Sequence, residues 1–344
     1  MKKLFYSLIF FLLLFQSCNK EKDIIEPYIP PVCNEVYTKK MSPFELTGFY
    51  PSYRLSSLPV YTIRWNLLTR LIYAFAIPRP DGTLYTGDLL YASSIVQEAH
   101  KNGVEILFSI GGGAGSGDFA EAISTPAKRK TLIQGILNFL GNNCFDGVDI
   151  DYEIFQNSGA ETDLTLFMKE LNLQLKALDY TITIDVYPSN WSGKHVENAV
   201  ETYVDQVYVM CYNFSGSWSA PGPHSSFEQS IGTGSDVNST GLAYWKNYRG
   251  WPKSKLVLGV PFYGRDFDNN ATAITYNNIY AIDTMAAYVS QWNNIYYDGL
   301  DAIKMKAEYI KTNSFPGMMV WEIAQDVLVP QHSLLVAMDS VLNK

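Results

Sequence analysis

The sequence predicts an α/β fold of the (β/α)8 barrel type, and three observations carry that expectation. Eight short β-rich runs can be counted from residue 44 onward. The longer stretches between them place apolar residues three and four apart, as an amphipathic helix does. Strands alternating with helices imply parallel pairing through crossover connections, and eight such units in about 300 residues leave room for modest insertions. In order, the strand candidates are Leu46 to Tyr50, Leu71 to Ile77, Val104 to Ile110, Gly147 to Glu153, Thr181 to Val186, Gln206 to Tyr212, Leu256 to Val260 and Gly317 to Trp321. Ala127 to Leu140 and Asp163 to Leu178 show the helical spacing most clearly. An open doubly wound sheet is the structural alternative. On a barrel, chemistry belongs at the C-terminal strand ends and the loops that follow them.

The 344 residues are 47% hydrophobic and 17% charged, which suits two domains or one large one and excludes a disordered or collagen-like chain. Acidic residues outnumber basic ones 34 to 26, for a net charge of -8, so no basic footprint for a phosphate backbone exists and nucleic acid is not an expected partner. The chain holds 24 Tyr, 18 Phe and 7 Trp, a stock of flat side chains that can stack on sugar rings but more often fills cores.

Three segments are expected. Lys2 and Lys3 precede an apolar run from Leu4 to Phe15, too short for a hydrocarbon core of about 30 Å but suited to a signal peptide. The run ends in Phe15-Gln16-Ser17-Cys18, which resembles a relaxed bacterial lipoprotein processing box. Cleavage there would remove residues 1–17 with two positive charges, take the net charge from -8 to -10, and leave Cys18 as a lipidated N-terminus. The expected location is then the bacterial cell envelope, with a membrane anchor outside the cytoplasm; an ordinary secretory signal cut nearby is the alternative. Residues 18–43 are charged and then proline-rich (Pro27, Pro30, Pro31) and read as a flexible tether, and residues 44–344 as the catalytic barrel. The remaining cysteines, Cys33, Cys144 and Cys211, are odd in number and lack CxxC spacing, so neither a metal site nor a disulfide framework is indicated. Cys144 and Cys211 are expected to be small buried apolar residues.

The most informative stretch is Phe145-Asp146-Gly147-Val148-Asp149-Ile150-Asp151-Tyr152-Glu153. In a strand, Asp149, Asp151 and Glu153 share one face at intervals of about 6.6 Å, with Val148, Ile150 and Tyr152 on the other. A solvated acidic face is the plain reading. In a parallel barrel, however, the apolar set must meet the helices, so the acids point into the lumen. Desolvation and like-charge repulsion then raise their pKa values, and a proton is shared among them. Glu153, nearest the mouth, is positioned as a proton donor. A Mg²⁺ or Ca²⁺ site is the other reading of such dense carboxylates.

Asp146, Asp149, Asp151 and Glu153 also reproduce a DxxDxDxE signature that resembles glycoside hydrolase family 18, the chitinases and related endo-β-N-acetylglucosaminidases. Ser109-Ile110-Gly111-Gly112 resembles the family's SxGG, Gly48-Phe49-Tyr50-Pro51-Ser52-Tyr53 its first strand end and Tyr73-Ala74-Phe75-Ala76 its second strand. Met210-Cys211-Tyr212-Asn213 is similar to MxYD on the sixth, Pro261-Phe262-Tyr263-Gly264-Arg265 to the seventh, and Gly317-Met318-Met319-Val320-Trp321 through Asp326 to the GxMxW segment of the eighth. The resemblance spans about residues 44 to 344.

It implies endo-acting, substrate-assisted retaining hydrolysis of β-1,4-linked N-acetylglucosamine glycans with no cofactor. Glu153 would protonate the glycosidic oxygen while the sugar's own acetamido carbonyl attacks the anomeric carbon. Asp151 would hold the acetamido N–H, Asp149 would share a proton with Asp151, and Tyr212 would steady the carbonyl. Trp321 would floor the cleavage subsite, with Asn213, Met210, Tyr50, Phe75, Trp218 and Arg265 around the substrate. Asp146, Ser109, Gly111 and Gly112 would support the motif. Asn213 stands where many family members carry Asp, and Ile154-Phe155 replaces the usual aromatic-proline continuation. The segment 268 to 316 is too short for a full insertion domain, so the cleft should be shallow and open. The loop from Phe214 to Asn238 offers Trp218 as a platform on the leaving-group side, and its His224 is expected at the surface. Release of N-glycans at the chitobiose core is an alternative function, and a catalytically silent carbohydrate-binding barrel is another.

Overall fold

The structure, a computed structural model, describes residues 36–153 and 159–344. The leader, Cys18, Cys33 and the Ile154-Phe155 continuation lie outside the described residues. Eight parallel strands close into a barrel: β1 (Glu45–Pro51), β2 (Arg70–Pro78), β3 (Glu105–Gly111), β4 (Gly147–Asp151), β5 (Thr181–Val186), β6 (Gln206–Met210), β7 (Leu256–Pro261) and β8 (Gly317–Trp321). Each pairs with its neighbour in sequence, and β8 returns to β1. The expected strands agree with these to within a few residues at each end.

Helices α1 (Ala92–Lys101), α2 (Pro126–Asn143), α3 (Ala160–Leu175), α4 (Leu300–Thr312) and α5 (Leu334–Leu342) lie among the connections. Helix α2 starts at Pro126, whose missing N–H costs nothing there, and Thr125 caps it by accepting from the Lys128 N–H. Period-two alternation divides the apolar residues into two cores. Val148, Ile150, Ile182 and Ile184 face outward with the helices. Phe49, Ile72, Leu107, Tyr208, Val257 and Met319 face the lumen.

The N-terminal end of the barrel is closed by ions. Arg70 bonds Glu105 at 2.7 Å, Glu45 at 2.8 Å and the Tyr208 hydroxyl at 2.7 Å. Burial alone would raise the Glu105 pKa, but Arg70 and Lys39 overcome it and hold the carboxyl down at about 2. Residues 36–43 form no helix or strand. They are nonetheless tied to this end: Tyr37 stacks on His100 at 3.9 Å and the Lys40 N–H donates to Gly103 O at 2.8 Å. The chain therefore meets the barrel several residues before the expected boundary at 44.

Between β7 and β8 a small antiparallel sheet forms from Tyr263–Asp266, Thr272–Thr275, Gln291–Trp292 and Ile295–Tyr296, with a short helix, Tyr276–Ile282. It is the one elaboration of the segment that the sequence marked as too short for a full domain. Cys211 is free and buried. Cys144 corrects the expectation: at the αL residue that ends α2 (φ 63°), it is disulfide-bonded and only partly buried against the core.

Candidate active site

The acidic row stands where strand alternation puts it, on the lumen face of β4 and the residues just beyond. In register, Asp149 sits between Ser109 of β3 and Thr183 of β5. Ser109 Oγ donates to Asp149 Oδ2 at 2.7 Å and Thr183 Oγ1 donates to Asp149 Oδ1 at 2.5 Å. Asp151 is 4% exposed and its Oδ1 has no donor among the described residues. Burial first, then the charges of Glu153 and Asp149, push its pKa far above the usual carboxylate range. Burial also raises Asp149 and Glu153. All three lumen carboxyls thus have raised affinities for protons, the direction expected for acids packed together away from water.

Glu153 is the member that reaches the mouth. Tyr187 OH donates to its Oε2 at 2.7 Å, and Gly113 contributes a backbone N–H, both of which oppose the effect of burial. The backbone here is pinned by Ser116, whose hydroxyl donates to Asp151 O at 2.9 Å and accepts the Glu153 N–H at 3.1 Å. Gly111 has φ 103°, and a Cβ there would lie 2.3 Å from Asp151 O, so only glycine lets β3 turn this close to the acids.

Above the row lies a cleft of about 490 Å³ lined by Phe75, Gly112, Glu153, Met210, Tyr212 and Trp321, among others. Trp321 lies 5.7 Å from Phe75 and edge-on to Phe49 at 5.5 Å, forming an aromatic floor. A second lobe of about 650 Å³ shares Tyr212 and Asn213 with the first and is walled by Tyr187, Trp191 and Trp218. Trp191 and Trp218 are 77% and 66% exposed, free to receive a flat ligand. Asn213 lies at the junction. Its Oδ1 accepts from Tyr263 OH at 2.7 Å and from Arg265.

Most of the expected residues are thus brought together, and several are placed otherwise. Tyr50 does not reach the cleft. It is fully buried among the outer core residues, its hydroxyl donating to Leu58 O at 2.5 Å; alternation along β1 gives the lumen to Phe49 instead. Asp146 lies below the row, accepting the Ile106 N–H at 2.8 Å and contacting His100 at 3.1 Å. His224, expected at the surface, is wholly buried. Its Nε2 donates to Tyr263 O at 3.1 Å and its Nδ1 accepts the Asn213 N–H at 3.4 Å. Burial and the Arg265 charge press its pKa to about 3, so it is a neutral brace for the Asn213 backbone.

Sequence reasoning missed Thr183, Asp185 and Tyr187, which alternate along β5 and just past it beside the acid row. The signal was present: four polar residues at a spacing of two in Thr181 to Tyr187, the same pattern that drew attention to β4. Among the described residues, no group of three or more His, Cys, Asp or Glu side chains is arranged to hold a metal ion.

Comparison with known proteins is consistent with this geometry. The family model described as glycosyl hydrolases family 18 matches residues 45–326. A chitinase from Bacteroides thetaiotaomicron superposes with a TM-score of 0.78 at 29% identity, covering 87% of this chain and 96% of that one. A family-18 chitinase from the chitin utilization locus of Flavobacterium johnsoniae gives 0.76 at 26% identity, covering 88% and 94%. A chitinase-like effector of Moniliophthora roreri is 28% identical over 237 residues, 64% of this chain and 58% of that protein. The chain thus spans less than two thirds of that relative's length.

Proposed function

Because the chain belongs to glycoside hydrolase family 18, we propose that it is an endo-acting chitinase-like hydrolase that cleaves β-1,4 bonds of N-acetylglucosamine glycans by substrate-assisted retention. The observation that carries this reading is the stacked row Asp149–Asp151–Glu153, buried at its base and meeting the cleft at Asp151 and Glu153, under an aromatic floor. Glu153 gives its proton to the glycosidic oxygen as the C1–O bond breaks. The acetamido oxygen of the same sugar forms the new bond to C1, giving an oxazolinium ion. Asp151 accepts the acetamido N–H and carries the compensating charge, while the Tyr212 hydroxyl steadies the acetamido oxygen. The Glu153 carboxylate then takes a proton from water as that water adds to C1 and the C1 bond to the acetamido oxygen breaks, which regenerates the acetamido group, restores the acid and retains the anomeric configuration.

Trp321 supports the distorted sugar, and Trp218 and Trp191 offer faces for the leaving-group side. Lipid anchorage through Cys18 belongs to the same proposal and rests on Lys2, Lys3, the run from Leu4 to Phe15 and the processing box. An unacylated native N-terminus beyond Cys18, found by mass spectrometry, would remove it.

The test is digestion of chito-oligosaccharides of four to six sugars alongside a glycoprotein, with product lengths and anomers resolved. Retained β-anomers from chito-oligosaccharides, and a Glu153→Gln variant slowed by about 10² to 10⁴ with sugar binding intact, are the expected results. Cleavage of the glycoprotein alone would move the substrate to the chitobiose core, and binding without turnover by the parent would make the protein a silent lectin-like barrel. Inverted anomers would refute the mechanism.

A further inference from the structure

Next to the acid row runs a second ladder. Thr183 pairs in register with Asp149, and two and four residues further along the chain come Asp185 and Tyr187. Thr183 donates to Asp149, and Tyr187 donates to Glu153. The middle rung differs in kind, because Asp185 is a carboxyl set against carboxyls. It is 3% exposed, and neither of its oxygens receives a donor among the described residues. The side chain it meets is the Asp149 carboxyl.

Two carboxyl groups in contact repel unless a proton lies between them. The surroundings decide which one keeps it. Asp149 already accepts from Ser109 and Thr183, which favours its ionised form. Asp185 has no such support. The groups facing it are Asp149, Asp151 and Glu153 from the β4 side, and Tyr208, its partner in register, and Tyr212 from the β6 side, while the Arg70 charge acts on Asp149. Burial and the neighbouring Asp149 and Asp151 charges both raise its affinity for a proton.

We propose that Asp185 is a neutral positioning residue that donates its O–H to Asp149, so that Asp149 holds the charge of the cluster and the Asp151 carboxyl is left free to serve the cleft. With Ser109, Thr183 and Asp185 all donating, Asp149 can remain ionised without drawing a proton from Asp151. That proton is then available in the upper part of the row, where it reaches Glu153 and the substrate. The proposal rests on the reading of Glu153 as the proton donor. It adds a fourth carboxyl, from another strand and outside the DxxDxDxE motif, to the machinery that tunes that donor.

An Asn at 185 keeps the shape and an N–H donor but cannot ionise, whereas a Leu keeps the shape without a donor. The Asp185→Asn variant is expected to stay within about threefold of the parent in kcat, with the alkaline limb of its pH profile unmoved. Asp185→Leu is expected to lose about tenfold in kcat, the scale of one charge-assisted hydrogen bond, with KM unchanged because Asp185 does not line the cleft. An Asn variant as slow as the Leu variant, or one with its alkaline limb moved to lower pH, would overturn the proposal, since it would mean that Asp185 acts as an anion. So would a folded Leu variant as fast as the parent.

A measurement free of turnover separates this from the functional reading. Infrared spectra near pH 7 should show a protonated-carboxyl carbonyl stretch in the parent that weakens in Asp185→Asn. Its persistence unchanged in the variant would refute a neutral Asp185 even if the parent hydrolyses chito-oligosaccharides. Its weakening in the variant would sustain the neutral donor even if the parent does not.

Discussion

Replacing Tyr187 by Phe exchanges a single hydroxyl for hydrogen in the acid's surroundings. The Tyr187 hydroxyl donates to Glu153 Oε2 at 2.7 Å, and a donor aimed at a carboxylate favours its charged form. Losing it should therefore raise the Glu153 pKa further, in the direction burial already drives it. A hydrogen bond to a charged group contributes roughly 1.5–3 kcal/mol, which at about 1.4 kcal/mol per pH unit corresponds to a shift of about one to two pH units. The Gly113 N–H remains on Glu153 and water enters the cleft, so the lower end, about one pH unit, is expected. A general acid must hold its proton to act, so the alkaline limb of kcat/KM should move to higher pH. Phe preserves the ring that meets Trp191 edge-on at 5.8 Å, which keeps packing out of the result. The assay is kcat/KM on a fluorogenic chito-oligosaccharide across pH for parent and variant. An alkaline limb that stays in place or moves to lower pH would refute the reasoning, because Glu153 would then not be the titrating donor.

Asn213→Asp adds a negative charge beside the row and should also raise the Glu153 pKa. Because Arg265 and Tyr263 already meet the Asn213 Oδ1, the alkaline limb should rise by less than about one pH unit; identical or inverted limbs would count against it. Arg70→Met strips the partly buried Glu45 of its counter-charge and leaves Glu105 with Lys39 alone, and should cost about 3 kcal/mol in a urea titration. In the parent, Glu105 is held from its ordinary 4.5 down to about 2. A depressed carboxylate stabilises the fold above pH 4.5, and that stability is lost as pH falls from there toward 2; acid titration of the Arg70→Met variant should show a smaller loss over the same window. Trp218→Ala should raise KM roughly 2- to 10-fold for oligosaccharides long enough to enter the second lobe, and leave shorter ones untouched.

The barrel was legible because strand–helix alternation and period-two patterning are properties of local sequence. The same patterning put Asp149, Asp151 and Glu153 on one face. Where that reasoning stopped short, it did so for identifiable causes. Tyr50 and Phe49 are adjacent aromatics at a strand end, and only the register of β1 in the closed barrel gives the lumen to Phe49. His224 lies in a polar, glycine-rich loop that reads as surface, yet the loop folds back under Asn213 and Tyr263. Cys144 reads as a small apolar residue, yet at the αL residue that ends α2 it is disulfide-bonded and only partly buried.

By itself the sequence determined the fold class, the acid row, the order of the motif-bearing strands and the candidate proton donor, since each depends on residues close together in the chain. Tertiary structure alone decided what stands beside each acid: Ser109, Thr183, Asp185 and Tyr187 come from the neighbouring strands, and their pairing with Asp149 and Glu153 is set by the register between strands. Proton affinities follow those lateral contacts and the burial they create, and neither is encoded in any one strand.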